Sequence, residues 1–419
     1  MPPSPNPHRL QAAPEYTASQ EHGRGAAAYG WFIAGVSSWF TAVGMQSVLF
    51  SWLVVGVLHA KAEWVGIAQS AMLLPSLVLI LLGGAVADRH DRRTLLIALH
   101  LIATLLSASL VAAVASGKLS LSVLLVYALS MGSVQAFVMP ARDALLSEVA
   151  GPNLMRAVTG LTLTQWGTQA LGSLIAGTAR WVGTTPALCL HALTILSGVS
   201  PLRKLSPAPL HSPISRRQLR PMDVIEGVRE VMRSPILPPM FWLVTAVGVL
   251  FIGPFMVVFP ILVRDYYGGD VAQLALLNMA FPVGTILGSL ALLWRGRLRR
   301  KGTAQLLALV AGAGCLGVVS LGLPLWGTLA AVGGQGVASA IFTNAGRTVF
   351  QEQAPPSHRA RVLSVYMFGF MGAAGLIGAP LSGVLVERIG PLATCAAASG
   401  AMIAVVACVF MFTNIARVE

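Results

Sequence analysis

The chain alternates long apolar runs with short polar segments. It contains twelve runs of about 20 or more residues that hold no Asp, Glu, Lys or Arg. The runs cover residues 31–57, 65–87, 95–115, 119–139, 157–179, 182–201, 240–263, 271–294, 303–323, 325–346, 362–386 and 392–413. A helix rises about 1.5 Å per residue and needs about 20 residues to cross about 30 Å of hydrocarbon. The pattern therefore predicts twelve transmembrane helices.

The composition agrees with lipid as the solvent. Apolar residues make up 55% of the 419 residues, charged residues only 10%, and the mean hydropathy is +0.75. A soluble domain carries about 25% charged residues, so this chain lacks the polar residues to cover a soluble surface. The four cysteines lie in apolar runs without paired or metal-type spacing and are expected to be small packing residues. The sequence predicts no catalytic residue, no metal site and no cofactor.

The positive charges fall mainly on one side of the predicted spans. With the N-terminus in the cytoplasm, the cytoplasmic segments hold 23 of the 28 Lys and Arg residues, and the opposite segments hold 5. This asymmetry follows the positive-inside rule and predicts that both termini are cytoplasmic. It also accounts for the net charge of +13 without a nucleic-acid partner.

The polar segments divide the chain. Residues 1–28 are rich in proline and polar residues, and we expect a disordered cytoplasmic tail there. The longest loop, 202–239, carries alternating apolar and charged residues over 223–233, which predicts a surface helix along the membrane. The loop separates two predicted six-helix bundles, 29–201 and 240–413, and residues 414–419 form a short cytoplasmic tail.

The two halves repeat in sequence. Matching residues recur at an offset of 205 or 206 positions: Gly83 with Gly288, Arg142 with Arg347, Arg156 with Arg361, Gly172 with Gly378, and Gly177 with Gly383. Several matches at one register indicate two duplicated six-helix bundles.

A dense cluster of charges joins the second and third runs. From Gly84 to Arg93 it has the spacing G-x-x-x-D-R-x-x-R-R. This turn resembles the signature loop between the second and third helices of the major facilitator superfamily of transporters. The resemblance implies an all-α membrane protein with twelve transmembrane helices in two six-helix pseudo-repeats. The corresponding turn of the second half, 294–301, lacks an acid at the position of Asp88.

The resemblance also assigns roles within the turn. It implies that Asp88 pairs with Arg92 and caps a helix of the other half in the outward-open state, with Asp143 as a third member of this latch. Gly84 would allow close approach of that helix, and Arg89 and Arg93 complete the gating motif. The alternative is a basic loop that only directs topology.

Residues 73–76, 88–93 and 140–146 resemble the bacterial branch of enterobactin-type siderophore exporters and macrolide efflux proteins. The resemblance implies a monomeric, proton-coupled antiporter in the bacterial inner membrane that exports a small amphiphilic molecule. A lysophospholipid flippase of the same fold is the first alternative. A membrane enzyme or sensor is the second, and it is disfavoured because the chain has no nucleotide loop, no nucleophile elbow and no segment long enough for a sensor domain.

Polar residues inside or at the ends of the spans are candidates for the substrate or proton pathway. They are Gln46, Gln69, Gln135, Arg142, Gln165, Gln169, Asn278, Gln335, Asn344 and Arg347, accompanied by the aromatic residues Trp39, Trp52, Trp166, Tyr127 and Phe255. The two arginines either contact substrate or anchor the helix ends by pairing with Asp143, Glu148 or Glu352. No acid lies in the middle of a span, so the proton site is unassigned. His100 and His191 either titrate there or are neutral packing residues.

Overall fold

A computed structural model describes residues 16–150, 154–206, 228–296, 300–353 and 359–417. These residues form twelve long helices and no strand. The helices are α1 Tyr16–Trp52, α2 Ala62–Arg89, α3 Arg92–Ala115, α4 Leu121–Val149, α5 Leu154–Gly177, α6 Thr184–Arg203, α7 Leu237–Tyr266, α8 Val271–Arg295, α9 Lys301–Ser320, α10 Leu325–Gln353, α11 359–389 and α12 Pro391–Phe412. The all-α fold predicted from the apolar runs is confirmed.

Within the described residues, eleven of these helices are long and apolar enough to cross a membrane. Helix α5 is the exception, although its 24 residues also suffice in length. It carries Gln165, Gln169 and several threonines, so its polar side chains need partners within the protein rather than lipid. The burial of α5 between other helices meets this need.

Several helices are longer than their apolar runs. Helices α4 and α10 continue to Val149 and Gln353, so Arg142 and Arg347 lie on helices rather than in turns. Helix α1 begins at Tyr16, and the predicted disordered tail is therefore wrong for residues 16–28, while residues 1–15 lie outside the described residues. Each residue added to an existing helix gains a backbone hydrogen bond, so a helix continues beyond the hydrocarbon. Of the predicted surface helix, residues 228–233 are helical and 223–227 lie outside the described residues.

Within the described ranges, three helices include π-helical segments, in which each turn is wider than in an α-helix. One segment, Leu53–Val57, follows the end of α1. Helix α7 has π-helical segments at Gly248–Ile252 and Leu262–Tyr266, and α11 has them at Phe368–Gly372 and Ala374–Gly378. A π segment places one extra residue in a turn. The first segment of α7 packs against the second segment of α11.

The packing follows the repeat seen in the sequence. Gly172 of α5 lies on the backbone of α1, where an added Cβ would be 1.9 Å from the Thr41 carbonyl oxygen. Its partner in the repeat, Gly378 of α11, lies on α7, with 2.8 Å to the Gly248 carbonyl oxygen. The matching glycines thus allow equivalent helix pairs to approach closely in the two halves.

The two halves meet along two matching helix pairs, α2 with α11 and α5 with α8. The bundle has one end that carries the charged turn, here called the Asp88 end, and another that carries the α7–α8 connection, here called the Asp270 end. Near the Asp270 end, a Cβ on Gly177 would lie 2.8 Å from Ala275 Cβ, and one on Gly383 would lie 2.6 Å from the Ala62 carbonyl oxygen. At both symmetry-related contacts, small residues allow helices of the two halves to approach closely.

Candidate functional site

Polar contacts join the two halves at the Asp270 end. Arg180, which follows α5, places Nε 3.1 Å from Oδ2 of Asp270 at the start of α8. On the symmetry-related side, the Ala62 backbone N–H donates to Glu387 Oε2 of α11 at 3.2 Å. At this end, each of the two helix pairs between the halves therefore has a contact that involves a carboxylate: an ion pair with Asp270 and a backbone hydrogen bond to Glu387.

Arg264 of α7 adds a third connection at this end. Its Nη1 donates to the carbonyl oxygens of Val55 at 3.0 Å and Ala60 at 3.4 Å, where α1 ends in a π-helical segment. The same guanidinium pairs with Asp265, with 2.8 Å between Nη2 and Oδ2. A guanidinium has five N–H donors in a fixed geometry, so one side chain can satisfy a helix end and a carboxylate together.

The middle of the interface is aromatic and neutral. Trp166 of α5 lies with its ring centroid 6.1 Å from that of Phe281 of α8, and Phe255 of α7 lies 5.3 Å from Phe281. Closer to the Asp270 end, Gln69 of α2 donates to Ser51 Oγ at 2.9 Å and to the Met256 carbonyl oxygen across the interface at 3.4 Å. These half-buried aromatic groups offer a stacking surface between the halves.

At the Asp88 end the charged turn makes its contacts within its own half. Arg92 forms an ion pair with Glu148 near the end of α4. Arg93 donates from Nε to the Leu202 carbonyl oxygen at 3.1 Å and from Nη2 to that of Arg203 at 2.6 Å, at the C-terminus of α6. A cation at a helix C-terminus satisfies carbonyl groups that have no partner in the helix. Both arginines therefore fasten α3 to its neighbours.

The latch residues are apart in this structure. Asp88 and Arg89 are exposed, and neither forms an ion pair within the described part of the chain. Arg92 pairs with Glu148 rather than with Asp88, and Asp143 pairs with Arg142 at 2.6 Å rather than joining them. Among the described residues the turn is exposed at Asp88 and Arg89, and Arg92 binds an acid of its own half.

The glycine of the motif is also free of contacts. A Cβ on Gly84 would meet nothing within 4 Å, whereas one on Gly83 would lie 2.3 Å from the Ala136 carbonyl oxygen of α4. The close approach at this point is thus made by Gly83, within one half. The latch was predicted for the outward-open state, and it stays a prediction for that state.

Other candidates are spread over several environments. Gln46 is buried inside the first half, where its Nε2 lies 3.2 Å from Met72 Sδ of α2. Asn278 and Asn344 donate to carbonyl oxygens of their own helices, at 3.0 and 2.8 Å. Gln135, Gln165 and Gln169 are half-buried and Gln335 is buried. These amides do not converge on one point, as expected for groups that serve different helix contacts.

The two arginines predicted at the helix ends differ. Arg142 lies over the Phe40 ring, with 5.3 Å from its central carbon to the ring centroid, and is held by Asp143. This is the pairing that the anchoring alternative named, and a contact of Arg142 with substrate stays a prediction. Arg347 is exposed and makes no ion pair with another described residue. Glu352, the other proposed anchor, pairs with Lys301 instead.

The contacts at the Asp270 end were missed by reasoning from sequence. Arg180, Arg264, Asp270 and Glu387 are far apart along the chain, and none of them belongs to a motif. The available signal was their scarcity, since this side of the predicted spans holds only five Lys and Arg residues. Two of those five, Arg180 and Arg264, bind the other half.

The polar bonds between the halves show which end is joined. Within the described residues, the hydrogen bonds and ion pairs found between the halves extend from Gln69 to the Asp270 end. The ion pairs at the Asp88 end connect residues of the same half. Polar contacts therefore join the two halves at the Asp270 end. Among the described residues, no hydrogen bond or ion pair was found between the halves at the Asp88 end.

Known structures with the same arrangement are transporters. A structure of a mutant of the nucleoside transporter NupG superposes with a TM-score of 0.79 at 12% identity, covering 92% of this chain and 100% of that chain. A second NupG structure gives a TM-score of 0.71 at 12% identity, with 93% and 97% covered. An auto-inhibited POT family peptide transporter gives 0.64 at 14% identity, with 92% and 94% covered. At this identity the likeness establishes the fold alone.

No curated protein sequence matches the chain. The family model described as transmembrane secretion effector, MFS_3, matches residues 28–419, nearly the whole chain. This match extends the resemblance first seen in the charged turn to nearly the whole chain, in agreement with the twelve-helix architecture. The chain belongs to the transmembrane secretion effector family of the major facilitator superfamily and is a multi-pass membrane transporter.

Proposed function

We propose that this transporter exports a small amphiphilic molecule that carries an aromatic or planar group, driven by a proton gradient across the bacterial plasma membrane. The observation that carries the proposal is the aromatic cluster of Trp166, Phe255 and Phe281 at the centre of the interface between the halves. A substrate with a planar apolar face would stack there as the halves separate.

The electrostatics of the centre support a substrate without a high net charge. The spans that carry the cluster hold no acid or base near it, and the neighbouring polar groups are neutral amides such as Gln165 and Gln69. An ion would be costly in this environment without a partner, whereas a neutral amphiphile can stack and hydrogen-bond. Siderophores built on catechol rings have this character, and a macrolide-like drug fits it when it lacks a basic amine.

Direction and orientation follow from two further features. The 23-to-5 division of positive residues favours a cytoplasmic Asp88 end and cytoplasmic termini. The family description, secretion, favours outward transport. In that orientation the described conformation faces inward and receives substrate from the cytoplasm.

Alternating access then requires a second conformation. The contacts of Arg180, Arg264 and Glu387 with the opposite half would break, and the halves would close at the Asp88 end. In this outward-open form Asp88 would meet a helix of the second half and Arg92 would exchange Glu148 for it. The substrate changes sides because the two ends are never open together.

The test uses everted membrane vesicles, whose interior becomes acidic on respiration. The fluorescent probe is a dansyl-labelled macrolide that lacks the basic amino sugar, so that it is neutral and is not trapped by the acidic interior alone. We expect accumulation that collapses with a protonophore and falls at least tenfold in Trp166→Ala. Trp181→Ala is the matched control, because Trp181 is 73% exposed and lies outside the cluster. Probe uptake into right-side-out vesicles, driven by an inward proton gradient, would contradict export.

A further inference from the structure

The first half contains a buried group of polar atoms that the proposed pathway does not use. Four side-chain atoms at the junction of α1, α3 and α6 are buried without a hydrogen-bond partner among the described residues: Trp39 Nε1, His100 Nε2, Ser107 Oγ and His191 Nε2. Buried polar atoms are normally paired, because leaving them dry is costly. A buried polar atom without a protein partner indicates internal water where a cavity lies beside it.

A small cavity lies at one side of this group. Its volume is ≈ 10 Å³, close to that needed for one water molecule, and it is lined by Gln46, Leu49, Phe50, Leu110, Tyr127, Leu188 and His191. Its polar wall consists of Gln46, Tyr127 and His191. A water here has the two or more polar partners that a buried water requires.

The side chains that line the cavity beside His191 are uncharged. Helix α1 contributes Gln46, α3 contributes Ser107 near the cavity and His100 further along, and α4 contributes Tyr127. None of the cavity-lining side chains is an acid, Lys or Arg. The fixed charges nearest in the chain, Arg180 and Arg203, lie beyond the two ends of α6. No carboxylate lies there to stabilise an imidazolium, so the oxygen atoms of Gln46, Tyr127 and the cavity water would have to accept its hydrogen bonds.

The chemistry of the ring suits a proton acceptor. The backbone of Ala42 lies beside the His191 ring, which leaves Nε2 as the nitrogen without a partner. In the neutral ring with hydrogen on Nδ1, the lone pair of Nε2 can accept one proton from water to give imidazolium, and the reverse step returns that proton. No other reactant is needed.

We propose that His191 and a water in this cavity form the proton-binding site of the transporter, an inference that rests on the proposed proton-driven export. The site can communicate with the interface through Gln46, because the Gln46 Nε2 contacts Met72 of α2, and α2 packs on α11 of the other half. A protonated Nε2 becomes a donor and competes for the Gln46 side chain. Protonation thus changes the contact between α1 and α2.

The direct test needs no transport substrate. Nitrogen NMR of the full chain in lipid nanodiscs, with ¹⁵N-labelled histidine, follows each ring between pH 4 and pH 9. We expect the His191 signal to titrate within this range and to be absent in His191→Gln. Should that variant not fold, Gln46→Met assigns the signal by shifting it. A His191 ring that stays neutral over the whole range overturns the site and leaves export intact.

The coupling is then measured in everted vesicles with the dansyl-labelled macrolide. His191→Gln should reduce gradient-driven accumulation at least tenfold while downhill exchange of the probe continues. Cys189→Ala is the control, because Cys189 is exposed on the same helix. Full gradient-driven accumulation in His191→Gln would refute the role of this residue. Failure of wild-type accumulation would instead refute the proposed export, whatever the NMR result.

Discussion

Arg180 and Asp270 form an ion pair of 3.1 Å that connects the two halves of the transporter. Both side chains are partly exposed, so the pair by itself contributes less than about 1 kcal/mol. The ion pair matters because it joins the two halves, so it can form only in a conformation in which the Asp270 end is closed. A small free energy that distinguishes two conformations changes their populations directly.

We therefore predict that Arg180→Gln and Asp270→Asn each shift the protein two- to fivefold away from the closed form. Asparagine keeps a side-chain oxygen for the Ala272 N–H, which Asp270 now caps at 2.8 Å, so helix α8 should persist. The distance between spin labels at Lys118 and Leu321, in a cysteine-free background, reports the population. The double variant should shift it no further than one single variant, and additive shifts would show that the two residues act independently.

Gly177→Val should separate α5 from α8 at the Asp270 end. An added Cβ would lie 2.8 Å from Ala275 Cβ, which is inside ordinary contact distance, so the helices must move apart. The same pair of spin labels should show a longer distance. Gly167→Val is the matched control on the same helix, since a Cβ at Gly167 meets nothing within 4 Å. An unchanged distance in Gly177→Val would mean that this end closes without glycine contacts.

Asp88→Asn should abolish or strongly impair transport without lowering membrane expression. Asp88 is exposed and has no ion-pair partner within the described residues, so the described conformation does not depend on it. If the latch forms in the outward-open state, losing about 1–3 kcal/mol of bias shifts the equilibrium about 5- to 150-fold. Binding of the probe in detergent should persist, because the aromatic cluster is unchanged. Asp143→Asn should give a milder form of this defect.

Asp91→Asn is the control for this turn. Asp91 Oδ2 accepts the Thr94 N–H at 2.9 Å and caps α3, and asparagine preserves that bond. Its transport should equal that of wild type. Wild-type transport by Asp88→Asn would show that the turn only directs topology. Loss of binding together with transport would place Asp88 in the substrate site or the fold.

Arg93→Gln should lower the thermal stability of the detergent-solubilised protein, corresponding to about 1 kcal/mol, without changing the spin-label distance. The reason is that Arg93 satisfies two carbonyl groups at the end of α6 within one half. Arg203→Gln should alter neither property, because the Arg203 side chain is exposed and Arg93 binds only its backbone carbonyl oxygen. A shift of the distance in Arg93→Gln would show that this arginine also takes part in gating.

The fold could be predicted from sequence because its determinants are local. Apolar runs of about 20 residues report membrane spans directly, and the spacing of charges from Gly84 to Arg93 identifies the loop between two of them. The repeat at 205 and 206 residues predicted that Gly172 and Gly378 are equivalent, and both lie on the backbone of the matching helix. These signals do not depend on how the two halves are arranged.

The site was harder because its contacts depend on conformation and on distant residues. The motif suggests that Arg92 faces Asp88, but in the described conformation Arg92 pairs with Glu148. Similarly, Phe281 joins Trp166 and Phe255 only through tertiary packing, and nothing in its sequence context distinguishes it from other phenylalanines in spans. A sequence shows which charged and aromatic residues the chain contains. Which of them are in contact depends on the relative position of the two halves.

The π-helical segments of α7 and α11 have a consequence for evolution. Each wider turn interrupts the regular backbone ladder, so the helix can bend there at a lower cost than in an unbroken stretch. Gly248–Ile252 packs against Ala374–Gly378, which places two such pliable points side by side in the second half. The ability of these helices to bend therefore depends on the backbone hydrogen-bond pattern rather than on particular side chains. A substitution at a side chain that contacts substrate therefore leaves these bending points in place, so that specificity can change without loss of the motion.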